Sequence, residues 1–177
     1  AALPVAEVAP VLSTLRGALA SVLPDAAHLP VLDLRNGEAE RSFCARPDLE
    51  DLAARGVATP DHVIRTKAEP LVLRAADQGA EAMRAAVQAY VARYRAYFDT
   101  HAPHAAEPKK ILSPVPGLVW LEGLGIVGVG TTAAAARIAA DIGCQSARVR
   151  ADAEAVGSFR PIGAKDVFDM EYWSLEQ

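Results

Sequence analysis

Residues 120–143, WLEGLGIVGVGTTAAAARIAADIG, contain Gly123-Leu124-Gly125-Ile126-Val127-Gly128. This G-x-G-x-x-G spacing can bring helix N-terminal N–H groups against a dinucleotide pyrophosphate. That chemistry needs one strand running directly into one helix, then a second strand that ends in an acid. Here Val129-Gly130 intervenes before Thr131 and Thr132, the expected helix N-cap. Ile126, Val127 and Val129 are β-branched and favour a strand. Beyond Asp141 the polar residues Ser146, Arg148, Arg150, Asp152 and Glu154 keep a helical pattern, and no Val/Ile run follows. The pattern therefore predicts two strands, 118–121 and 126–129, joined by a tight turn at Glu122-Gly123-Leu124-Gly125. Gly128 would admit a close backbone neighbour and Gly130 would end the strand. No bound nucleotide is expected.

The densest polar cluster is Thr59-Pro-Asp-His-Val-Ile-Arg-Thr-Lys67. His62, Arg65 and Lys67 could hold an anion such as a sugar phosphate. The competing reading is a loop whose polar side chains cap and pin its neighbours. His101 and His104 flank Pro103, but zinc needs three or four ligands and no third is marked. No metal site is expected. Asp166, Asp169, Glu171 and Glu176 read as a solvated face, with an acid/base pair as the chemical alternative. Tyr90, Tyr94 and Tyr97 share one helical stripe, which reads as core rather than a base-stacking platform. Cys44 and Cys144 stand without a CxxC and read as two thiols in a reducing, cytoplasmic setting; one disulfide is the alternative. No G-x-S-x-G, P-loop, H-E-x-x-H or Tyr-x-x-x-Lys is present, so no catalytic constellation is assembled.

The elements that must position these residues follow from periodicity and punctuation. With 177 residues the chain fits one domain, and at 51% hydrophobic it can bury a core. A net charge of −4 without a basic run argues against a nucleic-acid partner. No uncharged apolar run is long enough for a membrane span, and no basic-then-apolar leader opens the sequence. A first helix is expected over 10–23, with Pro10 at its first position and Pro24-Asp25 ending it. Residues 31–34 read as a strand closed by Asn36-Gly37, with 40–44 as its hairpin partner. A short helix at 48–55 stops at Gly56, 57–67 is irregular or extended, and 70–74 is a strand. From 79 to 101, Met83, Val87, Tyr90, Val91, Tyr94, Tyr97 and Phe98 recur at helical spacing. A proline-rich loop spans 102–116, and an Ala-rich helix follows the two strands from Thr132 to about Ala155. The tail ends in Phe168, Tyr172 and Trp173.

Three ordered stretches, ATPDHVIRTK (58–67), GLVWLEGLGIVGVGTTAAAARIAADI (117–142) and FDMEYWSLEQ (168–177), resemble the middle region of bifunctional aldolase/short-chain dehydrogenase proteins of the rhamnulose-phosphate aldolase/alcohol dehydrogenase type. The resemblance implies a single domain over 1–177, lying between an aldolase domain that carries zinc and a dehydrogenase domain that carries NAD(P). Those two domains would be its partners, with a homo-oligomer possible. Strand, turn, strand, glycine and Ala-rich helix also resemble the end of a class II aldolase/adducin domain. There the turn holds a zinc-binding His-Gly pair; here the aligned spot is Glu122-Gly123, and no H-x-H stands upstream. The implied fold is a three-layer α/β domain, a mainly antiparallel sheet with flanking helices and a lost metal site. The implied function is a non-catalytic connecting and assembly module of a sugar-catabolic enzyme. The alternatives are a sugar-phosphate-binding module or a part of that enzyme's oxidoreductase portion.

Overall fold

The structure, a computed structural model, describes residues 3–23 and 29–173. Helix α1 (Val5–Ala20) leads to strand β1 (Val31–Arg35), then to three short helices, α2 (Glu38–Cys44), α3 (Leu49–Ala54) and α4 (Pro60–Thr66). Strand β2 (Leu71–Leu73) precedes the long helix α5 (Ala80–His101). Strands β3 (Leu118–Leu121) and β4 (Gly125–Gly130) form a hairpin that feeds α6 (Ala133–Val156), and α7 (Ala164–Glu171) closes the described chain.

The sheet runs β1-β4-β3-β2. β1 and β3 both pair antiparallel with β4, and β2 joins β3 in parallel, so the sheet is mainly antiparallel as expected. Alternation along the strands sends side chains to two separate cores. Leu71, Leu73, Val119, Leu121 and Val127 pack under α1 and α5, against Leu15, Leu19, Met83, Val87 and Tyr90. Leu118, Trp120 and Ile126 face the other way, onto Phe43, Cys44, Leu49, Leu52 and Ala147 of α2, α3 and α6. The result is the three-layer arrangement, helices on both faces of one sheet. A third cluster joins Tyr94 on α5 to Phe168 and Tyr172 at α7, so the aromatic stripe is indeed core.

The glycine stretch builds the hairpin. Trp120 pairs with Ile126 and Leu121 with Gly125 across the turn, where Gly123 and Gly125 have φ of 77° and 124°, values that side chains resist. A Cβ on Gly128 would collide with the Ala136 carbonyl and the Ala140 backbone, and one on Gly130 would strike the Ala136 amide. Two glycines on β4 thus let α6 lie directly on the strand, and its alanines supply the matching flat surface. Thr132 caps α6, its Oγ1 accepting from the Ala135 amide at 3.1 Å.

Three expectations are corrected. The segment expected to return as a hairpin partner at 40–44 is helix α2, and β1 pairs instead with β4, Val31 opposite Gly130. Glu38 and Glu40 suit a helix N-terminus, and the helix buries Phe43 and Cys44. The stretch 57–67, read as irregular or extended, contains α4, with Pro60 in its first turn. α1 begins at Val5, so Pro10 lies inside it; burial of Val8 at 6% exposure extends the helix upstream of the proline. The expected stop at Pro24-Asp25 lies outside the described residues.

Candidate functional site

Most of the charged groups singled out in the sequence do not meet. His62 is on α4 and buried to 2% exposure. Its Nδ1 lies 2.5 Å from Thr59 Oγ1, and its Nε2 has no partner among the described residues. Burial, and next the Arg150 guanidinium, hold its pKa below the ordinary histidine value. Arg65 is exposed on the same short helix. Lys67, just past the helix end, turns into the protein: its side chain is 12% exposed, and its Nζ stands 3.5 Å from Glu171 Oε1 and 3.8 Å from the centre of the Tyr94 ring.

The Lys67 backbone has φ 70° and ψ 170°, and Lys67 is the one non-glycine with positive φ among the described residues. That region is essentially reserved for glycine and costs about 1–3 kcal/mol. Two packing facts hold the segment there. The Lys67 amide closes α4 onto the Val63 carbonyl at 2.9 Å. A Cβ on Gly117 would come within 2.7 Å of Thr66 Cα, so the chain entering β3 is laid directly against this backbone.

Glu171 is the residue that the sequence reading misplaced. It was expected on a solvated face with Asp166 and Asp169, which are exposed, Asp169 pairing with Lys165 Nζ at 2.6 Å. Glu171 instead has 1% side-chain exposure. Tyr94 Oη donates to its Oε1 at 2.7 Å and lies 2.6 Å from Tyr172 Oη, while Oε2 has no partner among the described residues. Burial pushes the Glu171 carboxyl up and pulls the Lys67 ammonium down, and each partly restores the other. The signal was present: Glu171 follows Val167 and Phe168 by four and three residues, on the face that α7 buries. Glu176 lies outside the described residues.

Lys67 lines a cavity of about 180 Å³. The end of α3, the 67–69 link, the Tyr90, Arg93, Tyr94 and Tyr97 side of α5 and the start of α7 line it, and it opens partly to the surface. Glu69 borders it, its carboxyl pushed up by burial and drawn back by Arg93. The Tyr97 hydroxyl is buried beside the Glu171 carboxylate but makes no hydrogen bond of ordinary geometry among the described residues.

A second buried cation was also missed. Arg150, 1% exposed, donates through Nη1 to Ser146 Oγ at 2.5 Å and through Nη2 to the Gly56 carbonyl. It packs over the Trp120 and Phe159 rings at 5.1 and 5.3 Å. No carboxylate pairs with it among the described residues, and burial lowers its pKa to about 10. Its position inside an Ala-rich helix looked like one more surface arginine.

The remaining candidates are occupied by structure. His101 packs on Tyr97 and Phe168, and His104 is exposed. Glu122, at the turn where the resemblance would imply a zinc histidine, accepts from the Ala75 amide at 2.9 Å and faces Arg74 at 3.6 Å. Among the described residues no group of three His, Cys, Asp or Glu could hold a metal, so these residues do not fit a zinc ion. Cys44 Sγ donates to the Gly125 carbonyl at 3.3 Å. Burial pushes the Cys44 and Cys144 thiols up to about 12 and about 11. No described helix is long and apolar enough to cross a membrane.

A glycine-walled hairpin feeding a small-residue helix across a mainly antiparallel sheet is the architecture of a class II aldolase-like domain. The chain belongs to the family of the aldolase class II second domain, which matches residues 6–177. It is also similar to an uncharacterized oxidoreductase, YuxG, of Bacillus subtilis (strain 168), at 25% identity over 131 residues. That match covers 71% of this chain and 19% of the relative, so the chain spans about a fifth of that protein's length.

Proposed function

We propose that this domain is a connecting and assembly module of a longer, cytoplasmic, sugar-catabolic enzyme of the rhamnulose-phosphate type. It joins an aldolase unit, which holds zinc, to a short-chain dehydrogenase unit, which holds NAD(P), and performs no reaction step of its own. The observation that carries this reading is the fate of the one cofactor-like motif. Gly125, Gly128 and Gly130 are each blocked by protein backbone at the position a side chain would take. Only Gly123 has open space beside it, and it sits in a turn between two strands rather than at a helix N-terminus, where a pyrophosphate would be held. The name and length of the Bacillus relative, an oxidoreductase of which this chain matches 19%, support a place within a larger redox protein.

Calorimetric titration of the domain with NAD and with NADP tests the first half and is expected to give no binding heat. A micromolar dissociation constant abolished by Gly125→Val would overturn it. The second half is tested on the longer natural protein. Its flanking units, expressed separately, should associate only when one of them carries this domain; association without it removes the connecting role.

A further inference from the structure

We propose that the cavity bordered by Lys67, Glu69, Arg93, Tyr94, Tyr97 and Ile162 binds a small hydroxylated anion, a carboxylate or phosphate on a short hydroxyl-bearing chain. This goes beyond the connecting role and does not depend on it. The first argument is size. The cavity measures about 180 Å³, and one of about 150 Å³ accepts a benzene-sized molecule. The part of an occupant lodged inside it is therefore compact, a few carbons.

The second argument is unspent hydrogen-bonding capacity. The Lys67 ammonium has three donors, and its carboxylate neighbour Glu171 stands at 3.5 Å, beyond the ~2.8 Å of a charge-assisted bond. The Tyr94 ring covers one side of it at 3.8 Å. Donors remain for an acceptor oxygen. The Tyr97 hydroxyl, on the same wall, is buried beside the Glu171 carboxylate but makes no hydrogen bond of ordinary geometry among the described residues. Buried polar groups are nearly always bonded. A bare anion would answer Lys67 alone, whereas an anion carrying a hydroxyl answers both.

Charge is the third argument. Arg93 stands exposed on the wall and adds a second cation. Glu69 and Glu171 oppose these cations, but burial shifts both carboxyls toward their neutral forms. The tyrosine rings and Ile162 give the carbon chain an apolar surface. Finally, the backbone of Lys67 is held in a costly conformation, φ 70° and ψ 170°. That conformation sets this side chain inward between α5 and α7.

The competing account is that Lys67, Glu171 and Tyr94 only pin α7 to α5. Amide chemical shifts of the protein, followed during titration with lactate, inorganic phosphate and glycerol, separate the two. Binding predicts saturable shifts at 67–69 and along the Tyr90–Tyr97 side of α5 for lactate or phosphate, and none for glycerol. The tighter of the two anions identifies carboxylate or phosphoryl as the group read. Lys67→Met should weaken binding about tenfold or more, but it strands Glu171. Tyr97→Phe and Arg93→Ala, expected to fold, therefore carry the test, with losses of about three- to tenfold and about three- to fivefold. The proposal is overturned if neither anion gives saturable shifts at tens of millimolar. It is equally overturned if glycerol matches the anions, or if both variants bind as the parent does.

Discussion

The seam between β4 and α6 and the corner between α5 and α7 invert what their sequences advertise. The seam carries the motif that looks chemical, and every glycine in it is spent on packing or on the turn. The corner carries a glutamate that looks like ordinary surface in a polar tail, and a lysine read as one of three candidate anion ligands in an irregular stretch. It buries both, Lys67 to 12% and Glu171 to 1% side-chain exposure. The difference teaches that glycine spacing reports how close two backbones come, whatever the neighbour is. Buried charge is reported only by the face on which a residue falls.

The sharpest way to break this contrast is at the seam. Gly128→Val drives side-chain atoms into the backbone of α6 at Ala136 and Ala140, which cannot move aside as a flexible side chain would. The expected result is a loss of roughly 5 kcal/mol or failure to fold, measured by urea denaturation. A variant of near-parental stability would mean that the seam has room, and a nucleotide site would return to consideration.

At the corner, Lys67→Met leaves a buried carboxylate unpaired and should cost about 3–5 kcal/mol. Adding Glu171→Leu should recover most of that loss, so the double-mutant cycle gives a large coupling. Additive losses would show that the two groups do not interact.

The strain at Lys67 yields a smaller and cleaner test. Lys67→Gly and Lys67→Ala lose the same ion pair, but glycine accepts φ 70° and ψ 170°. The glycine variant should be the more stable by about 1–2 kcal/mol, the reverse of the usual order. Equal melting temperatures would place the backbone in an unstrained conformation.

The smallest effect concerns His62, whose pKa is lowered by burial and then by Arg150, with Asp61, Gln145 and the Ile142 backbone acting the other way. The unfolded chain then binds the proton more readily than the folded one. Stability is full above the unfolded value of about 6.5 and falls as pH drops through the window below it, by at most about 1.4 kcal/mol per unit. His62→Gln should flatten that part of the stability profile. An unchanged slope would assign the pH dependence to other groups.

Much of the fold was legible because its signals are local. The Glu122–Gly125 turn, the Thr132 cap, the β-branched run at 126–129 and the 3.6-residue recurrence from Met83 to Tyr94 each fix geometry within a few residues. The candidate site was legible in part. The 59–67 stretch supplied Lys67, but His62 and Arg65 point to different surroundings, one buried and one exposed. Glu69, Arg93 and Glu171 come from elements that local pattern cannot bring together.

By itself, then, the sequence determined the hairpin and the helix that follows it, because steric preference and hydrophobic period act between near neighbours; the layers came only through the family resemblance. Only the tertiary structure decided that Glu38–Cys44 would be a helix while β1 sought β4 across the chain. It also decided that Arg150 would lie under Trp120 without a carboxylate, and that Lys67 would turn inward to Glu171. Those outcomes depend on which surfaces are buried against which. Burial is a property of the assembled layers, set by packing between residues a hundred positions apart.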